Sequence, residues 1–197
     1  EIARPMGIRS IYDIGANVGT WALLAKAVIP EATVEAFEPL ARHCKGFGKN
    51  LHGIGGVRLH PVALASENTS AVLRVTDLSD ASSMLPLAEK GRSQFGIEEI
   101  EQVGIEVRRL DSYQAELGLP FPDLIKLDVQ GYELEVLKGA TECLRSTKAV
   151  ISEVSFIEYY QGQCLFHELV GFLAEFGLSV EALSANTPTG LSLHQTD

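Results

Sequence analysis

Little in this sequence invites an explanation from cysteine, metal or membrane chemistry. Its 197 residues contain three cysteines. Cys44, Cys143 and Cys164 lie far apart and form no C-x-x-C pair, which excludes a disulfide framework or zinc knuckle and leads us to expect a reducing, cytoplasmic setting. The five histidines show no H-x-x-x-H or H-E-x-x-H spacing, so no protein-built metal site is expected. No apolar run approaches the roughly 20 residues that cross a bilayer, and no basic-then-apolar leader opens the chain, so no membrane partner is expected. Positive charge is also scarce. Sixteen Lys and Arg stand against 26 Asp and Glu, for a formal net charge of −10. Phosphate binding draws its affinity from clustered basic side chains, and the only adjacent basic pair is Arg108-Arg109. No nucleic-acid partner is expected.

What is present is ordinary globular material, 46% hydrophobic and 21% charged. The length suits one domain over 1–197, with an insertion over 66–113. No feature specifies an oligomeric state. A strand-like apolar run, a turn and a helical stretch recur along the chain, which is the signature of a parallel sheet covered on both faces. Strands are predicted at 10–14, 33–37, 57–63, 124–129, 149–154 and 178–182. Helices are predicted at 19–29, 39–51, 132–144 and 166–176, the first stopped by Pro30. Between residues 66 and 113 the pattern changes: 71–76 and 101–110 read as antiparallel strands around a polar, turn-rich stretch. Residues 186–190 read as a turn.

Three segments carry chemistry. In Tyr12-Asp13-Ile14-Gly15-Ala16-Asn17-Val18-Gly19-Thr20 a strand ends in an acid and passes through glycines into a helix. Glycine admits close backbone approach, and a helix start offers unpaired N–H groups. The spacing is D-x-G-x-x-x-G. Asn17 occupies the position a dinucleotide pyrophosphate needs bare, which disfavours a nicotinamide oxidoreductase. In Phe37-Glu38-Pro39 a carboxylate ends the next strand, where it can accept from both hydroxyls of a ribose or simply favour a helix start. In the run from Leu124 to Glu133, alternation puts Leu124, Lys126 and Asp128 on one side. Lys126 is expected to pair with a neighbouring acid, because a bare ammonium in an apolar run is costly. Asp128 opens into a glycine-containing loop. Asp13, Glu38, Asp128 and Glu153 thus all fall at the carboxyl rim of a parallel sheet, the edge where such sheets bind ligands. Four carboxylates there suit a ligand with a sulfonium, an amino group and a ribose diol.

Together the blocks YDIGANVGTWALLAK, EAFEP, HPVALAS, LIKLDVQGYELEVLKGA and ISEV resemble the FkbM family of S-adenosylmethionine-dependent methyltransferases, over about residues 10–182. The third segment, D-V-x-G-Y-E-x-x-V-L-x-G-A, is the most specific. The resemblance implies an α/β fold of the class I methyltransferase (Rossmann-like) type, a three-layer sandwich with strand order 3-2-1-4-5-7-6. It also implies O-methylation of a small-molecule or glycan acceptor. Carried over, Asp13, Gly15, Ala16, Asn17 and Gly19 hold the methionine moiety, Glu38 with Pro39 takes the ribose, and Val62, Ala63, Ser82 and Ser83 border the adenine. The family's last strand is expected to be either missing here or supplied by 190–194.

A neutral hydroxyl must lose a proton as it is methylated, so a general base is expected. Asp128 is the first candidate, Glu153 the second, and His60 and His167 are outsiders. A divalent ion on Asp128 and Glu153 ranks below metal-free transfer. Phe156, Tyr159 and Tyr160 either wall the acceptor or pack a helix on the sheet. A non-catalytic cofactor-binding module is the remaining alternative.

Overall fold

The computed structural model describes residues 6–183, 186–189 and 192–196. In chain order its elements are β1 (Ser10–Ile14), α1 (Thr20–Val28), β2 (Thr33–Phe37), α2 (Ala41–Asn50), β3 (Val57–His60), β4 (Ala63–Ala65), β5 (Thr69–Thr76), α3 (Glu89–Phe95) and β6 (Glu99–Arg109). There follow α4 (Leu110–Leu117), β7 (Leu124–Leu127), α5 (Glu133–Lys138), α6 (Thr141–Leu144), β8 (Ala149–Ser152), β9 (Val154–Ser155), α7 (Phe166–Ala174), β10 (Asn186–Thr189) and β11 (Ser192–Thr196).

Five strands form a parallel sheet in the order β3-β2-β1-β7-β8. Every residue of β1 and β7 is buried, as expected for strands covered on both faces. Alternation divides them between two cores. Tyr12, Ile14, Ile125 and Leu127 pack with Val136, Leu137 and Leu169 on one face. Ile11 and Leu124 pack with Ala22, Ala25 and Phe47 on the other.

Pro61 ends β3. It has no N–H to give to a ladder, and the chain leaves the main sheet there. β4 joins a second sheet of order β4-β6-β5, whose long antiparallel β5–β6 pair is the predicted insertion. The predicted 132–144 helix is split into α5 and α6 at Gly139. A Cβ there would come within 2.0 Å of the Ala65 carbonyl oxygen, so the close approach of β4 demands glycine.

At the far edge the sequence expectation needs correction. Residues 178–182 are not a strand, and the 186–190 segment read as a turn contains β10. Asn and Pro score poorly as strand formers in isolation, but pairing with β11 recruits them, and Pro188 falls at the register irregularity. β11 pairs antiparallel with β9, which continues β8 after Glu153. The parallel sheet therefore carries the 3-2-1-4-5 part of the expected order, and β10-β11-β9 form a separate three-stranded sheet in which Ser192–Thr196 lies beside β9.

Candidate active site

The carboxyl ends of β1, β2 and β7 open onto a cavity of about 400 Å³, within the range of small-molecule sites. Its wall includes Gly15, Ala16 and Asn17 after β1, Glu38 and Pro39 after β2, and Lys126, Asp128 and Gln130 from the β7 end. Val62 and Ala63 border it, and the loop after β5 adds Ser79, Asp80, Ser82 and Met84.

Local chemistry builds each part of this rim. The N–H groups of Gly15 and Ala16 both donate to the Phe37 carbonyl at 3.0 Å, which ties the two strand tips together. Gly15 adopts φ +78°, and a Cβ there would lie 1.8 Å from the Asp128 carbonyl oxygen. Asn17 also has positive φ, which asparagine tolerates better than most residues. Its N–H donates to Glu38 Oε2 at 3.0 Å, and its side-chain amide donates to the Ser79 carbonyl at 3.2 Å. Glu38 is only 6% exposed. Its Oε1 accepts from the Leu40 N–H at 2.8 Å and lies 3.4 Å from His43 Nδ1. A carboxylate offers about four acceptor positions, so this one retains capacity for a hydroxyl-bearing ligand.

Register dictates the charge buried behind the rim. Asp13 and Lys126 are direct partners on β1 and β7, so their side chains share a face. Asp13 is fully buried, and burial raises its pKa although the Lys126 ammonium partly offsets this. Lys126 Nζ donates to the Gly15 carbonyl at 2.9 Å and stands 3.3 Å from Asp13 Oδ1 and 3.6 Å from Asp128 Oδ2. Lys126 thus pairs with neighbouring acids. Glu38, Asp80 and Asp128 outnumber this one ammonium on the wall, which favours a cationic ligand.

Beyond β7 the chain turns through two successive positive-φ residues, Gln130 at +57° and Gly131 at +95°. Glu133, buried at the start of α5, accepts from the N–H groups of Val129 (3.1 Å) and Gly131 (3.2 Å). Burial pushes its pKa up to about 7 despite those bonds. Asp128 is 41% exposed at its side chain and faces the cavity.

Nine residues named from sequence do not line the cavity. Asp13 lies behind the wall. Gly19 is the N-terminal cap of α1, where a Cβ would strike Leu51 and Phe47. Ser83 is buried, donating to the Gln130 carbonyl at 2.6 Å. Glu153 accepts from the Gln130 amide at 3.0 Å just beyond the rim. His60 is buried against Glu35 (2.7 Å) and Tyr113 (3.2 Å), and His167 is exposed on α7. Tyr159 and Tyr160 pack with Ala81, Leu87 and Ile97 beneath the insertion, whereas Phe156 stacks on Phe166. Sequence reasoning missed Gln130, Asp80, Ser79, Met84 and Trp21 as wall residues. Of these only Gln130 carried a usable signal, its place between Asp128 and Gly131. Among the described residues no three His, Cys, Asp or Glu side chains gather as a metal would require, and no helix is long and apolar enough to cross a membrane.

An open parallel sheet of order β3-β2-β1-β7-β8, with a cavity over the tips of β1, β2 and β7, has the class I methyltransferase fold. A sequence model of the methyltransferase FkbM domain matches residues 13–180, and the chain belongs to that family. It is 30% identical over 175 residues to the 2-O-methyltransferase NoeI of Sinorhizobium fredii, covering 85% of this chain and 72% of NoeI. It is 31% identical over 144 residues to the hexuronic acid methyltransferase AglP of Haloferax volcanii, covering 73% of this chain and 55% of AglP. The crystal structure of methyltransferase FkbM from Methylobacillus flagellatus superimposes with a TM-score of 0.58 at 15% identity, covering 96% of this chain and 43% of that one. The chain therefore spans only part of the length of each.

Proposed function

We propose that this chain binds S-adenosylmethionine in the rim cavity and methylates a hydroxyl of a small-molecule or glycan acceptor. The observation that carries the proposal is Glu38. A buried carboxylate with spare acceptor capacity stands at the cavity wall, one strand away from a glycine turn whose Cβ positions are closed to side chains. That donor and acceptor set fits an adenosyl sulfonium compound: Glu38 would accept from the ribose hydroxyls, and Gly15, Ala16 and Asn17 would face the methionine part. Val62, Ala63 and Ser82 would border the base. When bound, S-adenosylmethionine supplies a methyl carbon on a sulfonium leaving group. The chain's own contribution is alignment, water exclusion and proton removal. Asp128 is the base best presented to the cavity, and Glu153 is the second candidate. Asp13, Gly19 and Ser83 are assigned to shaping the rim rather than touching the ligand. A hydroxyl acceptor is supported by the name of one relative, a 2-O-methyltransferase, and a sugar acceptor by that of another, a hexuronic acid methyltransferase.

The test has two stages. Calorimetric titration should give saturable binding of S-adenosylmethionine and S-adenosylhomocysteine and none of NAD. A panel of polyols, glycans and polyketides with methyl-labelled S-adenosylmethionine should then yield a labelled, base-stable ether. NAD binding in place of both would overturn the cofactor assignment. Label appearing only as an ester or on nitrogen would overturn the hydroxyl assignment.

A further inference from the structure

We infer that Gln130 is a positioning residue that holds the Asp128 and Glu153 carboxylates together at the cavity lip as one anionic wall. Its Nε2 donates to Asp128 Oδ1 at 2.8 Å and to Glu153 Oε2 at 3.0 Å. A primary amide has two N–H donors, and here each meets a different carboxylate. The reverse orientation of the amide would aim its oxygen at both acids.

The backbone supports the same conclusion. A turn with positive φ at two consecutive positions is best served by glycine or asparagine, and a long flexible side chain fits poorly there. Gly131 must be glycine, since a Cβ would lie 2.8 Å from the Gln163 Cβ. No comparable constraint calls for glutamine at 130. The glutamine is nonetheless held from every side: Ser83 donates to its carbonyl, Tyr160 reaches its amide oxygen, and both acids take its amide protons. A residue in an unfavourable backbone region, retained by surroundings that over-determine it, points to function at a site. The alternative arrangement is also visible. Lys126 Nζ stands 3.6 Å from Asp128 Oδ2, so without Gln130 the aspartate is free to close onto the ammonium and weaken the negative field over the cavity.

This inference rests on the proposed cofactor reading, and its measurement needs no acceptor. The ratio of affinities for S-adenosylmethionine, a sulfonium, and S-adenosylhomocysteine, its neutral thioether, reports the negative field at the sulfur. Gln130→Gly keeps a backbone suited to positive φ and deletes the amide. It should lower the calorimetric preference for the sulfonium by about threefold to tenfold. In an Asp128→Asn, Glu153→Gln background the same substitution should change that preference by less than about twofold, because both residues through which Gln130 acts are already neutral. Equal weakening of both compounds with a lowered melting temperature would mean a structural role only and would overturn the inference. So would a preference unchanged by Gln130→Gly, or an effect that persists in the Asp128→Asn, Glu153→Gln background. Failure of the unaltered chain to bind either compound would instead sink the cofactor reading, and this inference with it.

Discussion

Replacing Glu38 by glutamine gives the sharpest test of the site, because the structure allows its two consequences to be separated. The native carboxylate accepts from the N–H groups of Asn17 and Leu40, one on each oxygen, inside a pocket where the residue is 6% exposed. Glutamine keeps the volume and one carbonyl oxygen but turns an NH2 group toward the other N–H. One buried donor is left unmatched, at about 1–3 kcal/mol. In a domain of this size about 2 kcal/mol corresponds to a fall of roughly 4–8 °C in melting temperature. Binding should suffer separately. A hydrogen bond from a hydroxyl to a charged acceptor contributes about 1.5–3 kcal/mol, so losing one should weaken S-adenosylhomocysteine roughly tenfold to a hundredfold. The assay is calorimetric titration well below the melting temperature, after circular dichroism confirms native secondary structure. A folded E38Q variant binding within twofold of the unaltered chain would refute the ribose assignment, however large its loss of stability.

Three further outcomes are expected. Glu133 has a folded pKa of about 7, above the ordinary carboxylate value near 4.5. Because the folded state binds the proton more tightly, stability should decline as pH rises from about 4.5 to 7, by about 3 kcal/mol from this group. Buried Asp13 acts in the same direction, so the Glu133 share is isolated by Glu133→Gln, whose melting temperature should gain on the unaltered chain between pH 5 and pH 8; a constant gap would contradict the assignment. Lys126→Met leaves Asp13 as an uncompensated buried charge and should cost about 3–5 kcal/mol in urea unfolding. The double variant with Asp13→Asn should recover part of that loss, and additive losses would show that the two do not act as a pair. Gly15→Ala should prevent native folding, since its Cβ would fall 1.8 Å from the Asp128 carbonyl oxygen at a positive φ. Recovery of a cooperatively melting variant would mean that the rim adjusts there.

Much of the central sheet was legible because the signals are local. The runs at Ser10–Ile14, Thr33–Phe37 and Leu124–Leu127 are short, apolar and bounded by turn residues, and all three are strands. The β5–β6 insertion was equally readable from its alternation. The sheet edge was not. Residues 178–182 lack the turn formers Asn and Pro found in 186–189, yet only the latter find a partner, in β11. Strand propensity measures fit to neighbours more than backbone preference, so the ladder decides. The cavity was legible to the extent that strand tips carry it: Gly15, Asn17, Glu38 and Asp128 all reach the wall.

The sequence by itself determined the central strands and the line of acids at their carboxyl ends, because alternation and glycine spacing act within a few residues, while the order of those strands came only as what the family resemblance implies. Which acids meet the cavity was decided only by tertiary structure. Register set Asp13 against Lys126 behind the wall, and a turn of two positive-φ residues swung Gln130 between Asp128 and Glu153. The pairing of Asp13 with Lys126 and of Gln130 with Glu153 joins residues distant in the chain, and the long-range packing that creates it leaves no local trace in composition or spacing.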